Sequence, residues 1–377
     1  MENEPDIIEY LALAVERGGS DLHICAGSQA MVRIYGDLLP LSDQVLDADT
    51  CHEMIYSIFT ENQRARFEET WELDFALMVR GLGRFRANAH FSRGAVEAAF
   101  RHIPENIPSL DSLGLPPVVR QLCSLEQGLV LVTGITGSGK TTTLAAMVEE
   151  INTRRSGVII SVEDPIEYVF QNKLCRVKQR EIGTDTKSFP DALRHVLRQD
   201  PDVILISEMR DLETISAAIT AAETGHLVLA TLHTIDAPKA IDRIVDAYPA
   251  NQQSQIIAQL ANALQAIIAQ RLLPRADGQG RVVCTEVMVM NDGIRALLRD
   301  HRFEQVLSMI EIGGKDGMLT FDESVSQLYA GGFITLEEAL LNARDPARIA
   351  GMAPPKPPPP PPNLPPLPGT PKKGFFG

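Results

Sequence analysis

The sequence predicts an α/β protein built on an open, mostly parallel sheet and preceded by a smaller α+β domain. Three observations predict it. Four short runs, GLVLVTG, GVIISVED, DVILISE and HLVLATLH, are rich in Val, Ile and Leu without clear alternation, as in strands covered on both faces. Between them lie TTTLAAMVEEINTR, FPDALRHVLRQD and DLETISAAITAAETG, whose apolar residues recur at the three- and four-residue spacing of one helix face. The first hundred residues follow neither pattern: strand-like and helical pieces are mixed there, in an order that suggests antiparallel pairing.

At 377 residues the chain exceeds one ordinary core, and a prior of roughly 150 residues per domain gives two. Apolar residues at 44% and charged residues at 22% are globular proportions. The chain opens on a helical stretch, followed by strand-like SDLHICAG and AMVRIYGDLLPL, a helical DTCHEMIYSIFTENQRARFEE, and strand-like FALMVRGLGRFRANAHFSRG and AVEAAFRHIP. These make up an N-terminal domain over residues 1–104. The spaced prolines of RHIPENIPSLDSLGLPP mark a joint, residues 105–116. Residues 117–350 carry the alternating strands and helices, and after Pro249 the stretches NQQSQIIAQLANALQAIIAQRLL and GIRALLRDHRFEQVLSMIEIGG predict a helical end. Residues 351–377 hold 12 of the 25 prolines, a composition that favours polyproline II and predicts a disordered tail, either a spacer or a docking peptide.

The net charge of −14 opposes non-specific nucleic-acid binding, which rests on Lys and Arg neutralising phosphates, so no nucleic-acid partner is expected. The cysteines Cys25, Cys51, Cys123, Cys175 and Cys284 stand singly, which predicts buried free thiols in a reducing cytosol and neither disulfides nor a zinc site. The acidic N-terminus lacks the features of a signal peptide, and no run approaches the ~18 apolar residues of a membrane span. A cytoplasmic protein without direct membrane insertion is expected.

The stretch GITGSGKT fits the phosphate-loop pattern G-x-x-x-x-G-K-[ST], with a buried strand before it and a helix after it. Its glycines let backbone N–H groups turn inward around phosphates, and the helix N-terminus adds partial positive charge. The candidate binding residues are Gly134, Thr136, Gly137, Ser138, Gly139, Lys140, Thr141 and Thr142. Lys140 suits the β and γ phosphates of ATP, and the Thr141 hydroxyl suits Mg²⁺. Cleavage also needs an aligned water and offset charge, which carboxylates at neighbouring strand ends can supply. Glu208 ends DVILISE and is the candidate for orienting water; Glu163, with Asp164 after it, ends GVIISVED and would assist the water or the metal's shell. His226 and His233 bracket LVLATL, and a neutral histidine there suits sensing of the γ phosphate or coupling to a neighbour.

These ordered motifs resemble the secretion ATPases, most closely the type IV pilus retraction ATPases of the PilT/PilU group, over roughly Asp6 to Pro346. The likeness rests on the phosphate loop, on SVEDPIEYVF as an acidic box, on QDPDVILISEMRDLETI as a strand-end glutamate motif and on AAETGHLVLATLHT as a histidine box. It implies a PAS-like domain before a RecA-like ATPase domain, family roles for Glu163, Glu208, His226 and His233, and a homo-hexamer binding ATP between adjacent subunits. It also implies that Arg86 and Arg101 approach the phosphates, a task that suits permanently charged guanidinium groups. The implied activity is ATP hydrolysis coupled to pilus retraction in twitching motility. Implied partners are an inner-membrane pilus platform protein and related retraction ATPases, which would hold the chain peripherally at the inner face of the cytoplasmic membrane. Two alternatives stand beside it: an accessory motor like PilU, which the sequence after about residue 270 resembles, and an assembly ATPase of a type IV pilus or type II secretion system. The assembly enzymes usually carry a longer N-terminal region and paired C-x-x-C motifs, which this sequence lacks. Ser207 replaces a usual glycine, and GIRALLRD varies the family's AIRNLIRE.

Overall fold

The computed structural model describes residues 6–34, 37–103, 106–278 and 280–352, so most of the expected tail lies outside the described residues. The chain begins with α1 (Ile7–Glu16), capped by the Asp6 carboxylate, which accepts the Ile8 N–H. The strands β1 (Asp21–Ile24), β2 (Ser28–Ile34) and β3 (Asp37–Leu46) follow, then α2 (Ala48–Ser57) and α3 (Glu61–Thr70), then β4 (Glu72–Val79), β5 (Gly83–Ser92) and β6 (Ala95–Ile103). The six strands form one sheet in the order β3-β2-β1-β6-β5-β4, with every neighbouring pair antiparallel. One face packs on the helices around Leu11, Leu22, Phe67, Phe85 and Phe100, all buried. Alternation along β5 puts Phe85, Ala87 and Ala89 inside and leaves Arg84, Arg86 and Asn88 on the other face. The stretch expected as one helix over DTCHEMIYSIFTENQRARFEE is two. Thr60 breaks it by capping α3 with Gln63 in a reciprocal capping box.

After the joint come α4 (Val118–Leu122), β7 (Gly128–Thr133), α5 (Lys140–Arg154), β8 (Gly157–Glu163), β9 (Cys175–Glu181), α6 (Phe189–Val196), β10 (Val203–Ile206), α7 (Leu212–Glu223) and β11 (Leu227–Leu232). Next are α8 (Ala237–Asp246), α9 (Ala250–Ala263), β12 (Leu264–Pro274), β13 (Arg281–Val289), α10 (Asp292–Arg299), α11 (Val306–Ile312), α12 (Phe321–Ala330), α13 (Leu336–Asn342) and α14 (Pro346–Ala350). The second sheet runs β13-β12-β7-β11-β10-β8-β9 and is parallel except for β13. Every residue of β7, β10 and β11 is buried, because helices cover both faces. One covering layer holds Leu193, Ile215, Ile241 and Leu260; the other holds Leu144, Met147 and Ile151 of α5. Joint residues Ile107, Leu110, Leu113 and Leu115 pack into that second layer, and Arg120 ties Asp111 of the joint to Glu150 of α5. The fold class is the expected one, a RecA-like α/β unit preceded by a smaller, PAS-like α+β unit.

Three strands were not expected. The run NQQSQIIAQLANALQAIIAQRLL is helical only to Ala263, and from Leu264 it becomes β12, beside β7. Its apolar residues continue the helical spacing across the junction with no glycine or proline between, so periodicity alone runs past the true end. β13 pairs antiparallel with β12 as its hairpin partner. β9 is an edge strand of alternating burial with four charged residues, CRVKQRE, and lacks an apolar run. The five thiols are free, four of them buried and Cys25 half-buried; burial pushes Cys123 up to about 12.

Candidate functional site

Parallel strands deliver all their C-terminal ends to one edge of the second sheet, and the chemistry collects there. The phosphate loop leaves β7 and enters α5. Gly134 takes φ 147, and an added Cβ would collide with the main-chain oxygen of Gln270 and with Ser138. Gly139, at φ 89, is the N-cap of α5. Thr136 and Gly137 form the exposed tip of the loop, whereas Ser138 and Lys140 are buried. Lys140 Nζ donates to the carbonyls of Gly134 (2.8 Å) and Ile135 (3.1 Å). Burial lowers its pKa, against the pull of Glu208 and Glu167.

The three strands beside the loop are pinned at their ends. Thr231 of β11 donates its hydroxyl to the Ser207 carbonyl at 2.5 Å, and the Ser207 N–H bonds the Val162 carbonyl of β8 at 3.0 Å. This register carries Glu208 out of the end of β10. Its carboxylate meets Arg210 at 2.6 Å and His233, just past β11, at 3.0 Å. Burial works to raise its pKa, but Arg210 and His233 outweigh burial and hold Glu208 below the ordinary carboxylate range. Glu163, at the end of β8, is 3% exposed and accepts from Ser161 Oγ (2.6 Å) and Gln179 Nε2 (3.0 Å). Burial pushes its pKa up despite those two donors. Thr141 and Glu163 face a shared narrow cavity with Ser207 and Thr231, and Thr142 bonds the Tyr168 hydroxyl at 3.1 Å.

Three residues of this site carried no expectation. Gln270 on β12 accepts from Thr143 Oγ1 at 3.0 Å and donates to the Ser138 carbonyl at 2.7 Å, so a strand residue 127 and 132 positions later braces the loop and the helix that follows it. Gln179 on β9 holds Glu163, the Tyr168 carbonyl and the Phe170 N–H. Glu181 ends β9, accepts the Ile166 N–H at 3.0 Å, and pairs with Arg84 of the N-terminal sheet. A polar residue inside an apolar run, Gln270 in QAIIAQRLL, was the one available signal for the first.

His226 stands apart from the phosphate loop. It precedes β11, so it sits at the N-terminal edge of the sheet, a strand length away from the loop. There its ring bonds the Ala221 carbonyl at 3.0 Å and its own carbonyl accepts the Gly128 N–H. In a parallel sheet only one of two histidines bracketing a strand reaches the loop's edge, and that one is His233. Arg86 and Arg101 lie on the N-terminal sheet. They stand opposite one another on β5 and β6, both exposed, with Arg101 Nε on Asp21 at 2.8 Å. Their exposed face suits an anion brought by another molecule.

The loop fits a bound phosphate. Lys140 has a buried side chain with no carboxylate ion pair among the described residues, and the Ser138 hydroxyl is buried without a partner. Both are donors awaiting an anion. Among the described residues no group of acidic, His or Cys side chains forms a metal cluster, so a cation here would rely on phosphate oxygens together with Thr141.

Residues 105–340 match the family model for type II/IV secretion system proteins. The type IV pilus retraction ATPase PilT of Pseudomonas aeruginosa is 45% identical over 344 residues, covering 91% of this chain and 98% of that protein. The type IV pilus ATPase PilU of the same organism is 43% identical over 335 residues, covering 89% and 88%. A crystal structure of the pilus retraction motor PilT with bound ADP matches at TM-score 0.86 and 48% identity, covering 92% of this chain and all of that one. No helix among the described residues is long and apolar enough to cross a membrane.

Proposed function

Since this chain belongs to the type II/IV secretion system protein family, we propose that it is an ATP-hydrolysing ring motor that drives type IV pilus retraction. The observation that carries the chemistry is the gathering of Lys140, Glu208 and Glu163 at one sheet edge, with donors there awaiting an anion. The similarity to PilT over almost the whole of both chains carries the biological direction.

In this reading the triphosphate takes over the donors of Lys140, Ser138 and the loop N–H groups, at the positive end of α5. The Thr141 hydroxyl, together with phosphate oxygens, would hold Mg²⁺, which would supply charge neutralisation at the triphosphate. Glu208, kept ionised by Arg210 and His233, accepts a hydrogen bond from water and aligns it with the γ phosphorus. The new bond joins water oxygen to phosphorus, the bond to the ADP oxygen breaks, and the water proton ends on the released phosphate. Glu163 is held by Ser161 and Gln179 beside the cavity that Thr141 lines, and it steadies that edge. Arg86 and Arg101 act on the nucleotide of an adjacent subunit in a homo-hexamer, which explains arginines exposed on a sheet face. The ring works at the inner face of the cytoplasmic membrane through a pilus platform protein and related retraction ATPases.

Two measurements test the reading. Purified protein turns over ATP and Glu208→Gln lowers that rate by about a hundredfold to a thousandfold with nucleotide binding retained; parent and variant equally inert would refute the enzyme. Deleting the gene leaves many surface pili and no twitching, whereas loss of pili would mark an assembly ATPase. The nearly equal identity to PilU supports one second reading, an accessory retraction motor. In that case twitching is lost while purified turnover stays weak without a sister ATPase.

A further inference from the structure

One side chain of β13 is not explained by packing. Cys284, Glu286 and Met288 follow one another along one face of the strand. Cys284 belongs to the apolar cluster of Phe321 and Val325 in α12, and Met288 to that of Ile241 and Ile244 in α8. Glu286 therefore stands at the seam between the C-terminal helices and the layer that α8 helps to form. It is fully buried, and burial pushes its pKa up against the pull of an N–H donor and a guanidinium. An apolar residue would fill the same space without that cost, so the carboxylate is there for what it holds.

Glu286 Oε1 accepts the N–H of Ala237, the first residue of α8, at 3.0 Å. Beside it Asp236 caps α8, its Oδ1 accepting the Lys239 N–H at 2.9 Å. Both carboxylates converge on one guanidinium: Arg344 Nη2 lies 3.3 Å from Asp236 Oδ2 and 3.4 Å from Glu286 Oε2. The second contact is one of charge, since Glu286 Oε2 accepts no hydrogen bond among the described residues. Arg344 stands between α13 and α14, and its own N–H is anchored on Asp322 of α12 at 2.6 Å. Three residues before Asp236, His233 bonds Glu208 at 3.0 Å. The short segment from His233 to Asp236 is thus held at one end by the strand-end glutamate and at the other by the C-terminal helices.

We propose that Arg344 is a positioning residue for hydrolysis: by drawing Asp236 and Glu286 together it fixes the start of α8 and so holds His233 against Glu208. The inference rests on the reading of Glu208 as the residue that orients the attacking water. Two carboxylates at one seam repel each other, and the guanidinium between them offsets that repulsion. A shift of His233 during turnover has through this seam a direct route to α12, α13 and α14.

The test uses the full-length protein, with steady-state ATP hydrolysis and hydrogen exchange as readouts. The Arg344 side chain is 34% exposed, so shortening it opens no closed cavity. Arg344→Ala lowers kcat about tenfold with KM for ATP within about twofold of the parent, and Arg344→Lys, which keeps the charge, recovers most of the rate. In a His233→Ala background the same Arg344→Ala change costs less than about twofold, because the side chain it positions is gone. Ile349→Ala, which loosens buried packing in α14 without touching either carboxylate, leaves kcat within about twofold. An unchanged kcat in Arg344→Ala, a full loss in the absence of His233, or an equal loss in Ile349→Ala overturns the proposal. Exchange of the backbone amides between 233 and 240 reads the link without turnover: it runs about tenfold faster in Arg344→Ala and not in Ile349→Ala, and unchanged exchange in Arg344→Ala overturns the proposal. If the parent and every variant are inert, the hydrolytic reading itself has failed, and exchange still decides whether the link exists.

Discussion

The two sheets of this protein display their chemistry in different places. In the N-terminal sheet one face is buried and the other open, so alternate residues such as Arg84, Arg86 and Asn88 stand outward along the strand. In the second sheet both faces are covered, so the central strands offer no side chain to solvent, and Lys140, Glu208, Glu163 and His233 appear where strands stop. A one-sided sheet can lend its face to another molecule, and a two-sided sheet can act only from its rim. Where the two meet inside one chain, Arg84 and Glu181 pair.

The largest effect belongs to the rim. Lys140→Ala removes the loop's ammonium and should take ATP binding by calorimetry and turnover below detection; unchanged hydrolysis would place the site elsewhere. Next comes the open face. Arg86→Ala or Arg101→Ala should lower turnover by about a hundredfold with the far-ultraviolet spectrum and melting temperature intact, because both side chains are exposed. Mixing either variant with Glu208→Gln subunits should recover part of the activity if face and rim come from different chains; no recovery would break the comparison.

Smaller effects sharpen how the rim is held. Gln270→Ala leaves the buried Ser138 carbonyl without its donor, at a cost of about 1–3 kcal/mol, and should weaken nucleotide binding by about tenfold. The smallest concerns Glu163, whose pKa burial raises above the ordinary 4.5. The folded state then holds that proton more tightly than the unfolded chain, so stability falls as pH rises from 4.5 through the folded value. Glu163→Gln should therefore be more stable than the parent at pH 8, with the difference fading at or below pH 4.5, as read from denaturant melts across that range.

The covered strands were legible because covering on both faces leaves a continuous Val, Ile and Leu run, and the phosphate loop because its glycine and lysine spacing has few other uses. Glu208 and Glu163 could be read as strand ends for the same reason. β12 was hidden because helix and strand join at Ala263 and Leu264 without a break, and β9 because an edge strand needs no apolar run. Gln270 was hidden with its strand. His226 and His233 look equivalent in HLVLATLH, and only strand direction separates them. The joint read as a linker from its prolines, yet its leucines are packed, since proline spacing reports backbone shape and says little about what the intervening side chains cover.

The bond between Gln270 and the phosphate loop means that the nucleotide site is finished late in synthesis. A ribosome that has released residues 128–154 has made the loop and its helix, but the loop has no outer support until β12 emerges more than a hundred residues later. Fragments that stop before Leu264 would carry the signature of an ATP site and lack its shape, and a graft of the loop into another sheet would have to bring its glutamine with it.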